Sequence, residues 1–351
     1  MNILLGLTGS VATTLAPKLL RQLNRLGEVK VVTTKSSLYF FDLMALSYDS
    51  YTDIDEWPGP IYVKNDDVLH IQLRDWADVL VIAPLSANTL AKIANGLCDN
   101  LLTSVFRAWR RTHPIVLAPA MNTVMWESPF SKQHLDVITK MYDCQVVPPQ
   151  SKMLACGEAG EGAMAQIDDL YTATRDSYKW QFPIECCFGI PVGVHPGSFG
   201  YARNSGGPHT GVDLYCREMQ SVFAVEAGKV VGIEHFTGEQ DGTPWWNNTD
   251  CVLIEGKSGV CCYGEIKPYY VQVGDFVNKG GLIGHAIPVL KDGKHRSDIP
   301  GHSRTMLHFE LYKHGVRNAS QSFQQGVDEL GMVDPTTFLQ NARNAPVNLT
   351  M

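Results

Sequence analysis

Residues 78–109 read DVLVIAPLSANTLAKIANGLCDNLLTSVFRAW, and their reading decides the architecture of the first half of the chain. Val79 to Leu85 form a short, uninterrupted apolar run, as a strand buried on both faces should. Ser86, Ala87, Asn88 and Thr89 follow, and then apolar residues recur three and four apart, the period of a helix packed on one side. The same grammar recurs around NILLGL (2–7), VKVVTT (29–34), PIVLAPA (114–120) and CQVVPP (144–149). Strands of this kind alternating with helical segments predict an α/β domain, a parallel sheet covered by helices on both faces. Ligands on such sheets bind at the carboxyl ends of the strands.

Beyond about residue 182 the pattern changes. Glycine-punctuated, alternating runs such as SVFAVEAGKVVGIEH (221–235), DCVLIEGKSGVCCYGEI (250–266) and VQVGDFVNKGGLIGHA (271–286) predict a mainly-β domain. A chain of 351 residues is long for one compact unit, so two domains are expected, 1–181 and 182–351. With 44% hydrophobic and 19% charged residues it can bury a core. A net charge of −7 argues against nucleic-acid partners, which require phosphate neutralisation. No apolar run approaches the roughly 18 residues that span a bilayer, so no membrane partner is expected. The start, MNILLGLTGS, reads as a strand entering a helix, without the charged and cleavable pattern of a signal peptide. Nine cysteines without a CxxC pair imply at least one free thiol and favour a reduced, cytoplasmic setting. Sequons at Asn247, Asn318 and Asn348 point weakly the other way.

Hydroxyl-bearing loops follow three successive strands: Gly9, Ser10, Val11 and Ala12 after the first, Thr34, Lys35 and Ser36 after the second, and Ser86 to Thr89 after the next. Such loops suit a phosphate and a ribityl chain, although GLTGSVA is not a GxGxxG fingerprint. Pro17 lacks a helix donor and predicts a delayed or kinked first helix. The glycine-rich KMLACGEAGEGAMA (152–165) carries a single cysteine, Cys156, open to four readings: phosphate loop, half a metal site, catalytic thiol or incidental residue. No GK[ST] follows it, and no metal-ligand partners stand nearby. His70 and Asn122 each have a bland reading, as a histidine capping the IQLRDWA helix and an asparagine opening another.

Three segments in order, VLHIQLRDWADVLVIAPLSANTLAKIANGLCDNLLTSVFRAW (68–109), PAMNTVMWESP (119–129) and LACGEAGEGAMA (154–165), resemble the phosphopantothenoylcysteine decarboxylases, of the homo-oligomeric flavin-containing cysteine decarboxylase family. The resemblance covers residues 1–180 or so. It implies a flavodoxin-like doubly wound sheet, a homotrimer, FMN as cofactor and 4′-phosphopantothenoylcysteine as substrate in coenzyme A synthesis. The flavin would contact the three loops and Ala120, and the substrate Asn122, Met125, Lys152 and Ala155. FMN supplies the oxidation of the cysteine thiol to a thioaldehyde, the electron sink that decarboxylation requires. By the same resemblance His70 handles protons during oxidation and decarboxylation, and Asn122 holds the substrate carboxylate. Cys156 would protonate the enethiol carbon, as a thiol still protonated near neutrality can. Gly157, Gly160 and Gly162 would let this segment close over the substrate.

In the second half, GGPHTGVDLYC (206–216) carries His209 and Asp213, four apart, and TMLHFELYKHG (305–315) carries His308. By themselves three such scattered residues read as structural; two imidazoles, a carboxylate and an open fourth position would also make a tetrahedral Zn2+ site. With VVGIEH and VQVGDFVNKGGLIG these segments resemble the LytM/lysostaphin-type zinc endopeptidases over residues 190–315 or so. Those enzymes carry assisting histidines where this chain has Met306 and Glu265. Met306 can neither take a proton nor stabilise an oxyanion, so zinc binding without proteolysis is the expected outcome. The rival expectations are a flavin-binding regulatory protein and a C-terminal half that works as an endopeptidase.

Overall fold

The computed structural model describes residues 1–43, 47–57, 59, 61, 63–153, 159–202, 207–241, 244–294, 304–319, 331–342, 344–346 and 348–349. The chain divides into two compact units, Met1–Tyr178 and Lys179–Met351.

In the first unit six parallel strands line up in the order β3-β2-β1-β4-β5-β6: β1 (Asn2–Leu7), β2 (Glu28–Thr33), β3 (Ser50–Tyr51), β4 (Val79–Leu85), β5 (Ile115–Pro119) and β6 (Cys144–Val146). Alternate residues on β1 and β4 feed opposite faces of this doubly wound sheet. Ile3, Leu5, Leu7, Val79 and Val81 pack with helices α1 (Ala16–Leu23) and α7 (Ile167–Ser177). Leu4, Leu80 and Ile82 pack with α2 (Leu69–Trp76), α3 (Ala87–Ala94), α4 (Leu101–Ala108) and α6 (Pro129–Met141). Each fully buried Leu or Ile contributes about 1.5–3 kcal/mol.

The helical pattern of 87–109 is two helices. Gly96, at φ +71, ends the first, and Asn100 opens the second in a capping box with Thr103. Pro17 does delay the first helix: a 3-10 turn, Val11–Leu15, precedes α1, in which Pro17 takes a first-turn position. The four-residue α5 (Thr123–Trp126) starts at Asn122. A hairpin absent from the sequence reading, β7 (Gln150–Met153) and β8 (Ala159–Ala163), pairs antiparallel outside the sheet.

The second unit is built on a nine-stranded sheet. After the short β9 (Ile190–Pro191) come β10 (Val212–Tyr215), β11 (Ser221–Phe223), β12 (Gly228–His235), β13 (Asp250–Glu255), β14 (Val260–Lys267), β15 (Phe276–Val277), β16 (Leu282–Ala286), β17 (Met306–Tyr312) and β18 (Met332–Val333). The main path is β10-β17-β14-β13-β12-β15, and all pairings in the sheet are antiparallel. A six-residue helix α8 (Thr336–Asn341) and the short β19 (Asn348–Leu349), parallel to β9, follow. Trp180, Phe182, Leu214, Val252, Tyr263 and Phe309 belong to its main core.

Candidate functional sites

Strand order reverses between β1 and β4, and the loops expected to hold a ligand gather there. Thr8 fastens them: its hydroxyl donates to Pro84 O at 2.7 Å and accepts from Ser86 N at 2.8 Å. A side chain at Gly9 would place its Cβ 2.7 Å from Ser36 Oγ, so the first and second loops touch because residue 9 is glycine. Thr34 Oγ1 and Ser36 Oγ lie 3.3 Å apart. Ser10 and Ser86 each accept a backbone N–H of the turn or helix that they cap, from Ala12 and Thr89 respectively. Ala120, buried after β5, donates its N–H to Leu85 O at 3.0 Å. Val11, Lys35, Ser36 and Asn88 are exposed, whereas Thr34 and Thr89 are buried, with Thr34 Oγ1 donating to Leu7 O and Thr89 Oγ1 accepting from Ser86 Oγ. These hydroxyls and turns at the strand ends suit a phosphate and a ribityl chain.

Asn122 caps α5 by accepting Val124 N at 2.9 Å. Beside it Met125 and Val124 stand exposed. The glycine-rich strand β8 packs on the same segment: Met121 N donates to Gly162 O at 3.0 Å. A Cβ on Gly162, at φ +151, would meet Met121 O at 2.2 Å, and one on Gly160 would meet Thr123 Oγ1 at 2.3 Å. Close packing therefore accounts for these two glycines, beyond the freedom to fold over a ligand. Lys152 is exposed on β7, whereas Ala155, Cys156 and Gly157 lie outside the described residues.

His70 lies in the first turn of α2, and its Nδ1 is 2.5 Å from Glu56 Oε1. Sequence reasoning missed Glu56. It ends a 3-10 turn, Asp53–Glu56, and is buried, with no hydrogen-bond partner at Oε2 among the described residues. Its only sequence signal was an acidic residue 14 positions before the histidine.

In the second unit β10 and β17 place Asp213 directly opposite His308, and His209 precedes β10. All three are buried. His209 Nε2 is 3.3 Å from His308 Nδ1 and 3.2 Å from Asp213 Oδ1, and His308 Nδ1 is 2.8 Å from Asp213 Oδ1. Ligands 2.0–2.1 Å from a tetrahedral zinc lie about 3.4 Å apart, close to two of these spacings.

The outer nitrogens explain why the inner ones face each other. His209 Nδ1–H donates to Ser198 O at 2.9 Å, and His308 Nε2–H donates to Glu310 Oε1 at 3.1 Å. Tyr312 OH in turn donates to Glu310 Oε2. These bonds aim the lone pairs of His209 Nε2 and His308 Nδ1 at an anionic oxygen, which requires a proton or a cation between them. Without metal the proton serves: burial opposes a charged His308, but the hydrogen bonds to Asp213 and Glu310 outweigh it and push its pKa up to about 10. Burial also opposes ionisation of Asp213, and the charges and hydrogen bonds of His209 and His308 outweigh it, holding the carboxyl well below its usual range. The donor set, two imidazoles and a carboxylate, fits zinc. Met306 lies on β17 opposite Tyr215, and Glu265 is buried on β14 beside Gly264, the register partner of His308.

A doubly wound sheet with hydroxyl-lined loops at its switch point defines a nucleotide- or flavin-binding α/β unit, here followed by an antiparallel sheet with a His-Asp-His cluster. The chain belongs to the flavoprotein family, whose model matches residues 1–179. Residues 207–320 match the model of peptidase family M23. A phosphopantothenoylcysteine decarboxylase of Oryza sativa subsp. japonica is 49% identical over 182 residues, 51% of this chain and 82% of that relative. One of Arabidopsis thaliana is 50% identical over 176 residues, 50% of this chain and 83% of that protein. Among solved structures, a PPC decarboxylase mutant complexed with pantothenoylaminoethenethiol is 49% identical, covers 50% of this chain and 96% of its own, and aligns at TM-score 0.48. None of the helices among the described residues is long and apolar enough to cross a membrane.

Proposed function

We propose that the chain is an FMN-dependent decarboxylase that converts 4′-phosphopantothenoylcysteine to 4′-phosphopantetheine in coenzyme A biosynthesis. The observation that carries this reading is the near-50% identity to relatives of that name over more than four-fifths of their length. FMN, when bound, supplies two-electron oxidation of the substrate thiol and its later reversal. Gly9 to Ala12, Thr34 to Ser36, Ser86 to Thr89 and Ala120 hold it through backbone N–H groups and hydroxyls. His70 moves protons at the substrate during oxidation and loss of CO2. Asn122 donates its amide to the substrate carboxylate while its carbonyl oxygen stays on Val124 N. Met125, Lys152 and Ala155 contact the substrate. Cys156 gives a proton to the enethiol carbon, and the segment around it excludes water from the intermediate.

The working unit is a cytoplasmic homotrimer. The sequence places the domains at 1–181 and 182–351, within three residues of the boundary between the two compact units, and the second domain holds one Zn2+ through His209, Asp213 and His308. Met306 and Glu265 replace the assisting groups of the zinc endopeptidases, so this domain binds without cutting.

The test is incubation of the purified, FMN-loaded chain with 4′-phosphopantothenoylcysteine, followed by chromatography of the thiols. Formation of 4′-phosphopantetheine is expected. Unchanged substrate in the presence of bound FMN would overturn the reading in favour of a regulatory flavoprotein.

A further inference from the structure

We propose that Glu56 is the positioning residue for His70: its buried carboxylate grips the imidazole at Nδ1 and so presents Nε2 to the substrate. This inference rests on the reading of His70 as the proton-handling group. Three observations carry it.

The first is the contact itself, 2.5 Å between Nδ1 and Oε1. An ionised carboxylate only accepts, so the proton of a neutral imidazole sits on Nδ1 and the lone pair on Nε2. A ring rotated by a half-turn would present carbon to the carboxylate and lose the bond.

The second is the way Glu56 is held. Its short turn is closed by a capping box in which Asp55 Oδ2 accepts Thr52 N at 2.7 Å and Thr52 Oγ1 accepts Ile54 N at 3.3 Å. Asp53 Oδ1 accepts Leu101 N at 3.0 Å, which ties the turn to the start of α4. The turn that carries Glu56 is thus capped at its start and tied to α4.

The third is burial. Glu56 is 7% exposed, and its second oxygen has no hydrogen-bond partner among the described residues. An apolar side chain would fill that space without desolvating a carboxylate, so packing does not account for a glutamate there. The His70 side chain remains 24% exposed. The dyad has a buried carboxylate behind a partly open imidazole, the arrangement that fixes tautomer and orientation in acid–base catalysis.

Two variants of the full-length, FMN-loaded protein separate orientation from mere structure. Glu56→Gln keeps an acceptor oxygen for Nδ1–H, whereas Glu56→Ala removes it. We expect kcat to fall on the order of 100-fold in Glu56→Ala and to recover at least ~10-fold of that in Glu56→Gln, with KM and flavin content close to the parent's. Proton NMR of the parent should show a downfield Nδ1–H resonance that is absent from His70→Gln, lost in Glu56→Ala and kept in Glu56→Gln.

Parental turnover in Glu56→Ala overturns the proposal, as does equal loss in both variants or the absence of the resonance from the parent protein. If the parent itself releases no product, the decarboxylase reading fails instead, and the NMR comparison still decides whether Glu56 holds the ring.

Discussion

Asp213 and His308 are register partners across β10 and β17, and Oδ1 of the aspartate stands 2.8 Å from Nδ1 of the histidine. With Glu310 on the far side of the imidazole, that spacing leaves the near side for a proton or a metal ion. Full-length protein should therefore carry one zinc per chain by elemental analysis, and Asp213→Ala or His308→Ala should carry none. Zinc at a hundredfold excess over its Kd should stabilise the second unit by roughly 2.7 kcal/mol. A melting transition of that unit indifferent to chelator would count against the site.

Zinc without the two assisting histidines should not cut. The zinc-loaded protein should leave glycine-rich and peptidoglycan-type peptides intact over a long incubation, as followed by mass spectrometry. Cleavage that disappears in His308→Ala would make the second unit a working peptidase and remove the argument drawn from Met306.

The two glycines of β8 should respond differently to alanine. At Gly162 the added Cβ meets backbone, Met121 O at 2.2 Å, in a φ of +151 that L-residues rarely adopt. At Gly160 it meets the Thr123 hydroxyl, which can rotate aside. Gly162→Ala should cost about 1–3 kcal/mol and displace the Asn122 segment, whereas Gly160→Ala should cost less. Thermal melts and kcat of the two variants check the order, and equal effects would contradict the packing described for this strand.

Most of the first unit was legible because its signals are local. Continuous apolar runs such as Val79–Leu85 announce strands covered on both sides, and all of those residues are buried. The break between α3 and α4 went unread, because the apolar period runs on across Gly96 and Asn100, the residues that stop one helix and start the next. Other features depend on distant partners. Glu56 acquires its place only when a capped turn is laid against α2, and Gly162 only when β8 lies on Met121. The hairpin β7–β8 was hidden because its strands, QSKM and AGEGA, lack the alternating apolar residues that mark a half-buried sheet. His209, Asp213 and His308 were found through the resemblance to the zinc endopeptidases, but Glu310 and Ser198, which orient the imidazoles, were not.

Cys156 should act late in the reaction. Cys156→Ser should release CO2 at a near-parental rate and accumulate the unsaturated thiol, with formation of the saturated product reduced at least ~100-fold. Normal yields of 4′-phosphopantetheine would take this thiol out of the mechanism.

Burial sorts the other thiols by pH. Cys98 and Cys186 are exposed and should alkylate first near neutrality. Burial pushes Cys187 up to about 11 and Cys216 up to about 12. Since only the thiolate attacks, their labelling should rise about tenfold per pH unit and level off only above those values. Peptide mapping after timed alkylation reads this directly, and early labelling of Cys216 at neutral pH would contradict its burial.

The central claim is chemical, and carbon balance tests it most directly. Full-length protein loaded with FMN would be given 4′-phosphopantothenoylcysteine labelled in its cysteine carboxyl, and both headspace CO2 and the thiol product would be quantified. The account predicts labelled CO2 and 4′-phosphopantetheine in equal amounts, with both lost in His70→Gln. Retention of all label in the substrate, with flavin bound throughout, would contradict it.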